Sequence, residues 1–243
     1  TGQLWGTPTY FWSKHKSTNF DWWRKRFKRQ FELVDLLRLD HFRGLAGYWR
    51  VNGNSKTAIC GRWINSPGRT LLNKLKIDLG TDCLPIIAED LGVITPDVEK
   101  LRKNFELPGM KILQFAFDGN EDNPYLPKNI EGENWVVYTG THDNSTSISW
   151  WECLENKAKK RIKDEYKFFE NPSWSLIKIG MDTNANLFIA PIQDILSLDD
   201  SSRLNIPGTT KNNWKWKLNR PLREIEDNMR RFSELGNNFG RTR

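Results

Sequence analysis

The sequence has few of the residues that build metal centres or disulfide frameworks. It holds only three histidines and three cysteines, Cys60, Cys83 and Cys153, among 243 residues. No CxxC pair or Cys/His cluster occurs, which argues against a structural zinc site. We therefore expect reduced thiols, and we predict neither a metal nor a cofactor.

Long apolar runs are also missing. No stretch approaches ~18 consecutive apolar residues, and the mean hydropathy is −0.67, so the sequence predicts no membrane-spanning helix and no membrane partner. The first residues carry none of the regions of a signal peptide. Because the chain begins with Thr1 rather than Met, we do not expect Thr1 to be the natural start. A cytoplasmic location is predicted, with the plastid as the alternative.

The charge is biased toward one sign. There are 37 Lys and Arg residues against 30 Asp and Glu, a formal net charge of +7, which raises nucleic acid as a partner. The densest basic runs, residues 24–29 and 157–163, lie in stretches typical of helices, where such runs usually form a solvated face. We therefore expect no nucleic acid, and a basic nucleic-acid-binding protein remains the alternative from another class.

The chain does contain a series of short apolar runs that end in polar or charged residues. These runs are residues 33–40, 84–88, 112–117, 135–139 and 187–192. Helical patterns separate several of them, at residues 19–31 with Asn19 as N-cap, from Thr95 and Pro96 onward, at 152–169, and from Pro221 to Gly236. Strands that alternate with helices predict a parallel sheet that is buried on both faces. The long segment 43–83 lacks clear periodicity and is predicted to be a functional loop.

Polar residues follow the carboxyl ends of these strands, where (β/α)₈ barrels carry their catalytic groups. A barrel of ~250 residues needs eight strands, but the sequence offers five. Either some strands escape the pattern or the chain is part of a larger one.

Three of the strand ends present carboxylates, Asp40, Glu89 and Asp143. Two carboxyl groups ~5–5.5 Å apart can perform retaining glycoside chemistry, one as nucleophile and the other as acid and then base. Arg38 precedes Asp40 by two residues, so strand alternation points both side chains the same way. Carboxylates at strand ends are also common as solvated or capping groups, and their positions alone leave that interpretation open.

Three ordered motifs carry a family resemblance. Residues 37–44 (LRLDHFRG), 88–92 (AEDLG) and 139–144 (TGTHDN) closely resemble the catalytic segments of the 4-α-glucanotransferases, or amylomaltases, glycoside hydrolase family 77. Residues 2–10 resemble the mobile active-site loop of that family, and residues 207–210 the stretch after its last barrel strand. The ordered set covers almost the whole chain.

The resemblance implies a role for each matching residue. Asp40 would be the nucleophile, Glu89 the general acid/base, and Asp143 the group that stabilises the transition state. The implied substrate-binding residues are Arg38, His41, His142, Asp90, Gln3, Trp5 and Tyr10, of which the last three belong to the active-site loop. The implied reaction transfers α-1,4-glucan segments between malto-oligosaccharides, by a retaining double displacement through a covalent glycosyl-enzyme. Its partners would be malto-oligosaccharides and starch-type or glycogen-type glucans.

The resemblance also explains the strand count, because the first barrel strands of the family precede the segment that matches residues 2–10. We therefore expect the α/β class and an incomplete (β/α)₈ TIM-barrel, with its amino-terminal strands missing. Residues 1–243 would form one catalytic-barrel portion, with the active-site loop at 1–12, later barrel strands at 33–194, and a closing loop and carboxyl-terminal helix at 195–243. Missing strands leave sheet edges uncovered, so we expect little stability and little activity from these residues alone.

Two further alternatives remain beside the nucleic-acid-binding protein, one an enzyme and the other without activity. An α-amylase-like hydrolase would share the three carboxylates but use water as the acceptor. An inactive fragment would share the ancestry without the turnover. The sequence predicts no oligomeric state.

Overall fold

The computed structural model describes residues 4, 6–168 and 171–241. The chain divides into two compact units, Thr1–Met110 and Lys111–Arg243. Gln3 and Trp5, which belong to the predicted active-site loop, lie outside the described residues.

The first unit mixes helices with short strands, as expected for an α/β protein. Its strands are β1 (Leu37–Leu39), β2 (Gly47–Val51), β3 (Gly61–Asn65) and β4 (Ile86–Ala88). Its helices are α1 (Trp12–Ser17), α2 (Asp21–Phe31), α3 (Gly68–Leu79) and α4 (Pro96–Asn104), with a 3₁₀ turn at Phe42–Leu45. β1 and β4 pair in parallel. The runs predicted as the first two parallel strands are thus confirmed, although each strand forms only near the end of its run.

Helix α2 builds one side of the core of the first unit. Trp23 and Phe27 are buried, and Phe31 packs against the same cluster. The expected N-cap is wrong by one residue, because Phe20 rather than Asn19 precedes the helix. Both residues adopt a left-handed backbone, with φ of 57° and 51°. Phe20 is buried in the core, so its ring packs at the point where the helix begins.

The segment 43–83 is more regular than its sequence suggests. It contains the antiparallel hairpin of β2 and β3, in which Trp49 lies opposite Trp63, and the whole of α3. Several hairpin side chains on both faces stay exposed. The apolar-polar alternation that marks a half-buried strand is therefore missing, and the periodicity gave no signal.

The remaining strands are β5 (Gly109–Ile112), β6 (Trp135–Tyr138) and β7 (Leu187–Ile189). The boundary between the units falls within β5, and β6 and β7 lie in the second unit. Its helices are α5 (Ser147–Cys153), α6 (Asn156–Tyr166), α7 (Pro172–Met181), α8 (Ile192–Ile195) and α9 (Glu226–Asn238). Short 3₁₀ turns lie at Leu113–Phe115, Pro127–Asn129, Asp200–Ser202 and Leu222–Glu224.

The third predicted strand lies earlier than expected. The apolar run 112–117 is not a strand, since β5 ends at Ile112 and a 3₁₀ turn follows it. Gln114 accounts for the turn: its N–H donates to Thr139 O at 3.3 Å and its side-chain amide to Ser145 O at 2.9 Å. An apolar run does not by itself distinguish a strand from another buried segment.

Two helix predictions also change at their ends. The expected helix 152–169 is two helices, α5 and α6, because Leu154 and Glu155 between them are extended. The last helix begins at Glu226 and runs through Gly236 to Asn238. Gly236 is buried within α9, so its small size serves packing rather than a helix stop.

Among the described residues, two apolar clusters contribute to the core of the second unit. The larger contains the buried residues Leu113, Ala116, Phe117, Leu126, Ile130, Val137, Ile162, Phe168, Leu176 and Ala185. The smaller contains Trp174, Ile177, Met181 and Ile195, with the last helix packed against it. Helix α7 packs against β7 at Gly180, where a Cβ atom would lie 2.1 Å from the Phe188 ring. This approach requires glycine.

The strands that the structure describes form three sheets of two, two and three strands. β6 and β7 pair in parallel. None of these sheets is a closed barrel, so the barrel remains a prediction. No helix in the described ranges is long and apolar enough to span a bilayer.

Leu72→Ala should lower the free energy of unfolding by about 2–5 kcal/mol, because truncating a fully buried leucine leaves a cavity. Ile77→Ala is the matched control on the same helix. Ile77 is 72% exposed, and we expect its truncation to change stability by no more than about 0.5 kcal/mol. Urea unfolding of the full-length protein measures both. Equal effects would contradict the burial assigned to the two faces of α3.

Candidate active site

The two carboxylates of the first unit leave neighbouring parallel strands. β1 and β4 pair in register, with Leu39 opposite Ala88. The ladder continues one residue further, since the N–H of Glu89 donates to Leu39 O at 3.1 Å. Asp40 and Glu89 therefore emerge at the same carboxyl edge of the strands, which is where open and closed α/β sheets place their ligands.

Arg38 holds the side chain of Asp40. Its Nη1 donates to Asp40 Oδ1 at 2.9 Å, the contact that strand alternation predicts for residues two apart. The Nε of Arg38 donates to Met110 Sδ at 3.3 Å, which anchors the guanidinium at its other end. The Asp40 side chain is 77% exposed. One carboxylate oxygen is thus oriented by a cation while the group stays accessible to a reactant.

Glu89 is fixed by backbone donors. The N–H of His41 donates to Oε2 at 2.7 Å, and the N–H of Leu91 donates to Oε1 at 3.0 Å. His41 reaches this position with a left-handed backbone, φ 48°, and the next N–H, of Phe42, donates to Glu89 O at 3.1 Å. Hydrogen bonds therefore join the segment after β1 directly to the segment after β4. Because His41 follows Asp40 in the chain and donates to Glu89, it holds the two carboxylates close to each other.

Asp90 lies in a different environment from its neighbour. Its side chain is only 9% exposed, and Oδ2 lies 3.1 Å from Arg102 Nε. Oδ1 accepts the N–H of Met110 at 2.8 Å, and Arg102 also donates to Leu107 O. Asp90 thus links the end of β4 to α4 and to the start of β5. Its contact with sugar, implied by the family resemblance, stays a prediction.

In the second unit, His142 and Asp143 lie in a tight turn after β6. Asp143 Oδ1 is 3.4 Å from His142 Nε2. The turn is closed by Asn144, whose Oδ1 accepts the Thr141 N–H at 2.8 Å. The Trp214 ring packs on the imidazole of His142, with centroids 5.2 Å apart. This contact joins the segment 139–144 to the part of the chain that follows residues 207–210, two segments that the family resemblance had matched separately.

Arg203 and Asn205 support Asp143, and sequence reasoning missed both. Asn205 Nδ2 donates to Asp143 Oδ1 at 2.6 Å, and Arg203 Nη2 donates to Asp143 O at 2.6 Å. Arg203 also donates to Ser145 Oγ at 3.1 Å. The sequence held one signal that could have identified them: Arg203 and Asn205 lie just before residues 207–210, a segment that carries the family resemblance.

Asp194 anchors the turn that carries His142 and Asp143 through hydrogen bonds to the residues on either side of it. It is almost completely buried. Oδ1 accepts the Ser147 N–H at 2.7 Å, and Oδ2 accepts the hydroxyls of Ser147 and Thr139 at 2.7 and 2.5 Å. Burial raises the pKa of the Asp194 carboxyl above its ordinary value, while these hydrogen bonds act in the opposite direction. The carboxylate ties both ends of the segment 139–147, and Asp143 lies between them.

Tyr10 is the one member of the predicted active-site loop set that the structure describes. Its ring lies 4.9 Å from Trp23 between centroids, and its hydroxyl accepts a long hydrogen bond from Arg26 at 3.4 Å. Further ring neighbours are Trp12, His15 and Trp22. Tyr10 is half-exposed and packed against α1 and α2, and Gln3 and Trp5 lie outside the described residues.

The structure brings the predicted site residues together in two groups. Arg38, Asp40, His41 and Glu89 form one group in the first unit, and His142 and Asp143 form the other in the second. Among the described residues, no cluster of three or more His, Cys, Asp or Glu side chains is arranged to hold a metal ion. In each group, a neighbouring cation or N–H donor holds a carboxylate. A histidine lies beside it: His41 contributes its backbone N–H in the first unit, and His142 its imidazole in the second.

Comparison with solved structures defines the class of fold. The chain superposes on an amylomaltase from Streptococcus agalactiae in complex with acarbose with a TM-score of 0.92 and 35% identity, over 100% of this chain and 49% of that one. It also matches the fold of an amylomaltase from Corynebacterium glutamicum, with a TM-score of 0.75 and 17% identity. The chain therefore has part of the α/β amylomaltase fold.

Sequence comparison gives the family. A family model described as 4-alpha-glucanotransferase, glycoside hydrolase family 77, matches residues 1–223. A 4-alpha-glucanotransferase from Synechocystis is 48% identical over 219 residues, which are 89% of this chain and 43% of that protein. The chloroplastic/amyloplastic enzyme DPE1 of Arabidopsis thaliana is 43% identical over 99% of this chain and 42% of its own length. The chain belongs to the 4-alpha-glucanotransferase family and spans less than half the length of these relatives.

The buried carboxyl of Asp194 predicts a measurable pH dependence. Its pKa is raised by burial from 3.8, so above pH 3.8 the folded state binds more protons than the unfolded state, and stability falls as pH rises through the folded pKa. Asp194→Asn removes this titration, while its amide can accept from the Ser147 N–H and donate to the hydroxyls. We expect the stability of the wild type to fall relative to Asp194→Asn as the pH rises above about 4.

Asp199→Asn is the control for this experiment. Asp199 is exposed, and hydrogen bonds from Ser201 lower the pKa of its carboxyl, so its contribution is complete above its unfolded-state pKa and is lost only at lower pH. Its difference from wild type should stay flat over the same range. Urea unfolding at several pH values measures both variants. A difference between the wild type and Asp194→Asn that stays constant with pH would contradict the assigned burial.

Proposed function

We propose that this chain forms part of the catalytic domain of a 4-α-glucanotransferase that moves α-1,4-glucan segments between malto-oligosaccharides. The observation that carries the proposal is the in-register pairing of β1 and β4, which delivers Asp40 and Glu89 to one edge and bonds the His41 N–H to Glu89 at 2.7 Å. Membership of the family supports the reaction class. Two neighbouring carboxyl groups suit a retaining mechanism.

In the first step, Glu89 donates its proton to the glycosidic oxygen as Asp40 attacks the anomeric carbon. The bond from that carbon to the leaving oxygen breaks, and an ester bond to Asp40 forms. The contact with Arg38 orients the Asp40 carboxylate for this attack. The two backbone donors orient Glu89 without consuming all of its lone pairs.

In the second step, the 4-hydroxyl of an acceptor glucan gives its proton to Glu89 and displaces Asp40. The configuration at the anomeric carbon is thereby retained. Asp143 stabilises the positive charge that develops on the sugar ring in both steps. Its proposed role is supported by the donors that hold it, Asn205 and Arg203, because a preorganised charge needs no rearrangement at the moment of reaction.

The remaining predicted site residues are proposed to bind sugar. They are Arg38, His41, His142, Asp90, Gln3, Trp5 and Tyr10. His142 has the best support, since its imidazole lies beside Asp143 and against the Trp214 ring, and a sugar ring suits such a mixture of polar and aromatic groups. A loop that excludes water from the glycosyl-enzyme would favour transfer over hydrolysis, and the segment 1–12 is the proposed loop.

We propose the (β/α)₈ TIM-barrel as the architecture to which the chain contributes. Residues 1–243 would form one catalytic portion, with later barrel strands at 33–194 and the closing loop and last helix at 195–243. The parallel pairs β1–β4 and β6–β7 support it. So does the match to the amylomaltase fold.

The proposed substrates are malto-oligosaccharides and starch-type or glycogen-type glucans. The relative from Streptococcus agalactiae was solved with acarbose, which supports a carbohydrate ligand. Relatives named for bacteria and for plant chloroplasts and amyloplasts leave the cytoplasm and the plastid as the proposed locations.

The full-length protein should convert maltotriose into glucose and longer malto-oligosaccharides without a net gain of reducing ends. Asp40→Asn should lower kcat at least about a thousandfold, because it removes the nucleophile while leaving the fold intact. Asp35→Asn is the matched control, an exposed carboxylate that precedes β1, and should keep the wild-type rate. Chromatography of the products and a reducing-end assay measure transfer and hydrolysis separately.

The possible outcomes separate the competing functions. Net release of reducing ends without longer products would replace the transferase by an α-amylase-like hydrolase. Unchanged turnover in Asp40→Asn would overturn the assigned nucleophile. Steeply salt-dependent binding of oligonucleotides, with no action on maltotriose, would favour the nucleic-acid-binding alternative.

A further inference from the structure

Two tryptophans lie together on one exposed face of the hairpin formed by β2 and β3. Trp49 and Trp63 are paired across the antiparallel strands, with ring centroids 5.7 Å apart and planes at 69°. They are 39% and 58% exposed. Two adjacent exposed indole rings form a contiguous apolar surface, a feature that can mark a binding site.

The Trp49 ring is held in a fixed position. Its Nε1–H donates to Ala58 O at 2.8 Å. The indole lies against Gly61, where a Cβ atom would come within 2.5 Å of Nε1. Any larger residue at position 61 would displace the ring. An exposed ring that is ordered by a hydrogen bond and by a close backbone approach loses little conformational entropy when a ligand binds.

The Trp63 ring is held by Arg43. The guanidinium lies over the ring at 4.5 Å from its centroid, a cation–π geometry. Arg43 Nη2 donates to Thr95 Oγ1 at 2.8 Å, which fixes the guanidinium in turn. The charge of Arg43 is therefore directed at Trp63 and Thr95.

Apart from the Arg43 guanidinium over Trp63, the strand residues that share this face with the tryptophans are uncharged. Residues two apart share a face of a strand, so Gly47, Val51, Gly61 and Asn65 accompany the two tryptophans. All four are uncharged. The arginines of the hairpin, Arg50 and Arg62, are opposite each other in the register and belong to the other face.

The hairpin is joined directly to the carboxylate group of the first unit. The 3₁₀ turn Phe42–Leu45 leads from His41 into β2. Phe42 is bonded to Glu89 O through its N–H at 3.1 Å, and the next residue, Arg43, supports Trp63. One short turn thus connects the candidate active site to the tryptophan face.

We propose that Trp49 and Trp63 form an accessory contact for a glucan chain, on which a glucose unit distant from the cleaved bond stacks its C–H face. Indole rings combine a flat apolar face with a polar edge, and a neutral glucan suits the uncharged strand residues that accompany the two tryptophans. The inference rests on the proposed function for its ligand. Only donor or acceptor glucans that extend beyond the catalytic site would reach this contact.

Trp63→Ala in the full-length protein should raise KM for maltoheptaose roughly tenfold, with kcat unchanged, and should alter kcat/KM for maltotriose by less than about twofold. Trp63→Phe retains a ring and should recover most of the affinity for the long glucan. Arg62→Ala is the matched control: it alters the adjacent residue on the opposite face and should leave both substrates unaffected. Transfer kinetics and calorimetric titration with maltoheptaose measure these effects.

Other outcomes overturn the inference in distinguishable ways. Equal kinetics of Trp63→Ala and wild type on both substrates would remove the accessory contact while the proposed function stands. A fall in Tm of more than about 5 °C in Trp63→Ala, with equal loss on both substrates, would show that the face packs against protein instead. A wild type without transfer activity would refute the proposed function, and the titration would then still decide whether the tryptophans bind glucan.

Discussion

The in-register parallel pairing of β1 with β4 is the constraint on which the candidate chemistry of the first unit depends. Leu39 lies opposite Ala88, and β4 is buried along its whole length. A slip of one residue would reverse the face of every side chain in a strand. It would turn Arg38 and the carboxylates toward an apolar interior, where unpaired charge is costly. The hydrophobic core therefore fixes the position of Asp40 and Glu89 as firmly as it fixes the strands.

In both units, the carboxylates of the candidate site are held by donors that are themselves anchored. Glu89 accepts two backbone N–H groups, and Asp143 accepts the Asn205 amide. Beneath these contacts lie buried acidic side chains, Asp90 paired with Arg102 and Asp194 bonded to three donors. Rigid support of this kind keeps reactive groups in a productive geometry. The loops that carry the polar residues are thus irregular in shape but well determined in position.

The sequence predicts those parts of this arrangement that leave a local signal. An apolar run that ends in charge marks the strand end before Asp40 and the one before Glu89, and Thr95 with Pro96 marks the start of α4. The hairpin of β2 and β3 left no such signal, because side chains on both of its faces are exposed. The predicted position of β5 was too late in the sequence. Hydrogen bonds of Gln114 to distant residues decide where the strand ends, and no local pattern reveals them.

The supporting residues of the site escape local reasoning for the same reason. Arg203 and Asn205 act on Asp143 across about sixty positions of sequence, and no periodicity or spacing rule connects them. Asp194 also follows a strand, β7, as Asp40 follows β1, yet it is buried and structural. Burial separates the two, and burial depends on the fold as a whole.

The central claim is that Asp40 forms a covalent bond to sugar, and trapping that intermediate tests it most directly. A maltosyl fluoride that lacks the 4-hydroxyl at its non-reducing end can donate but cannot accept, and Glu89→Gln slows the second displacement. Mass spectrometry of peptides from the full-length variant should then find one glycosyl adduct, on Asp40. An adduct on another residue, or fluoride release that inverts the anomeric configuration without any adduct, would contradict the account.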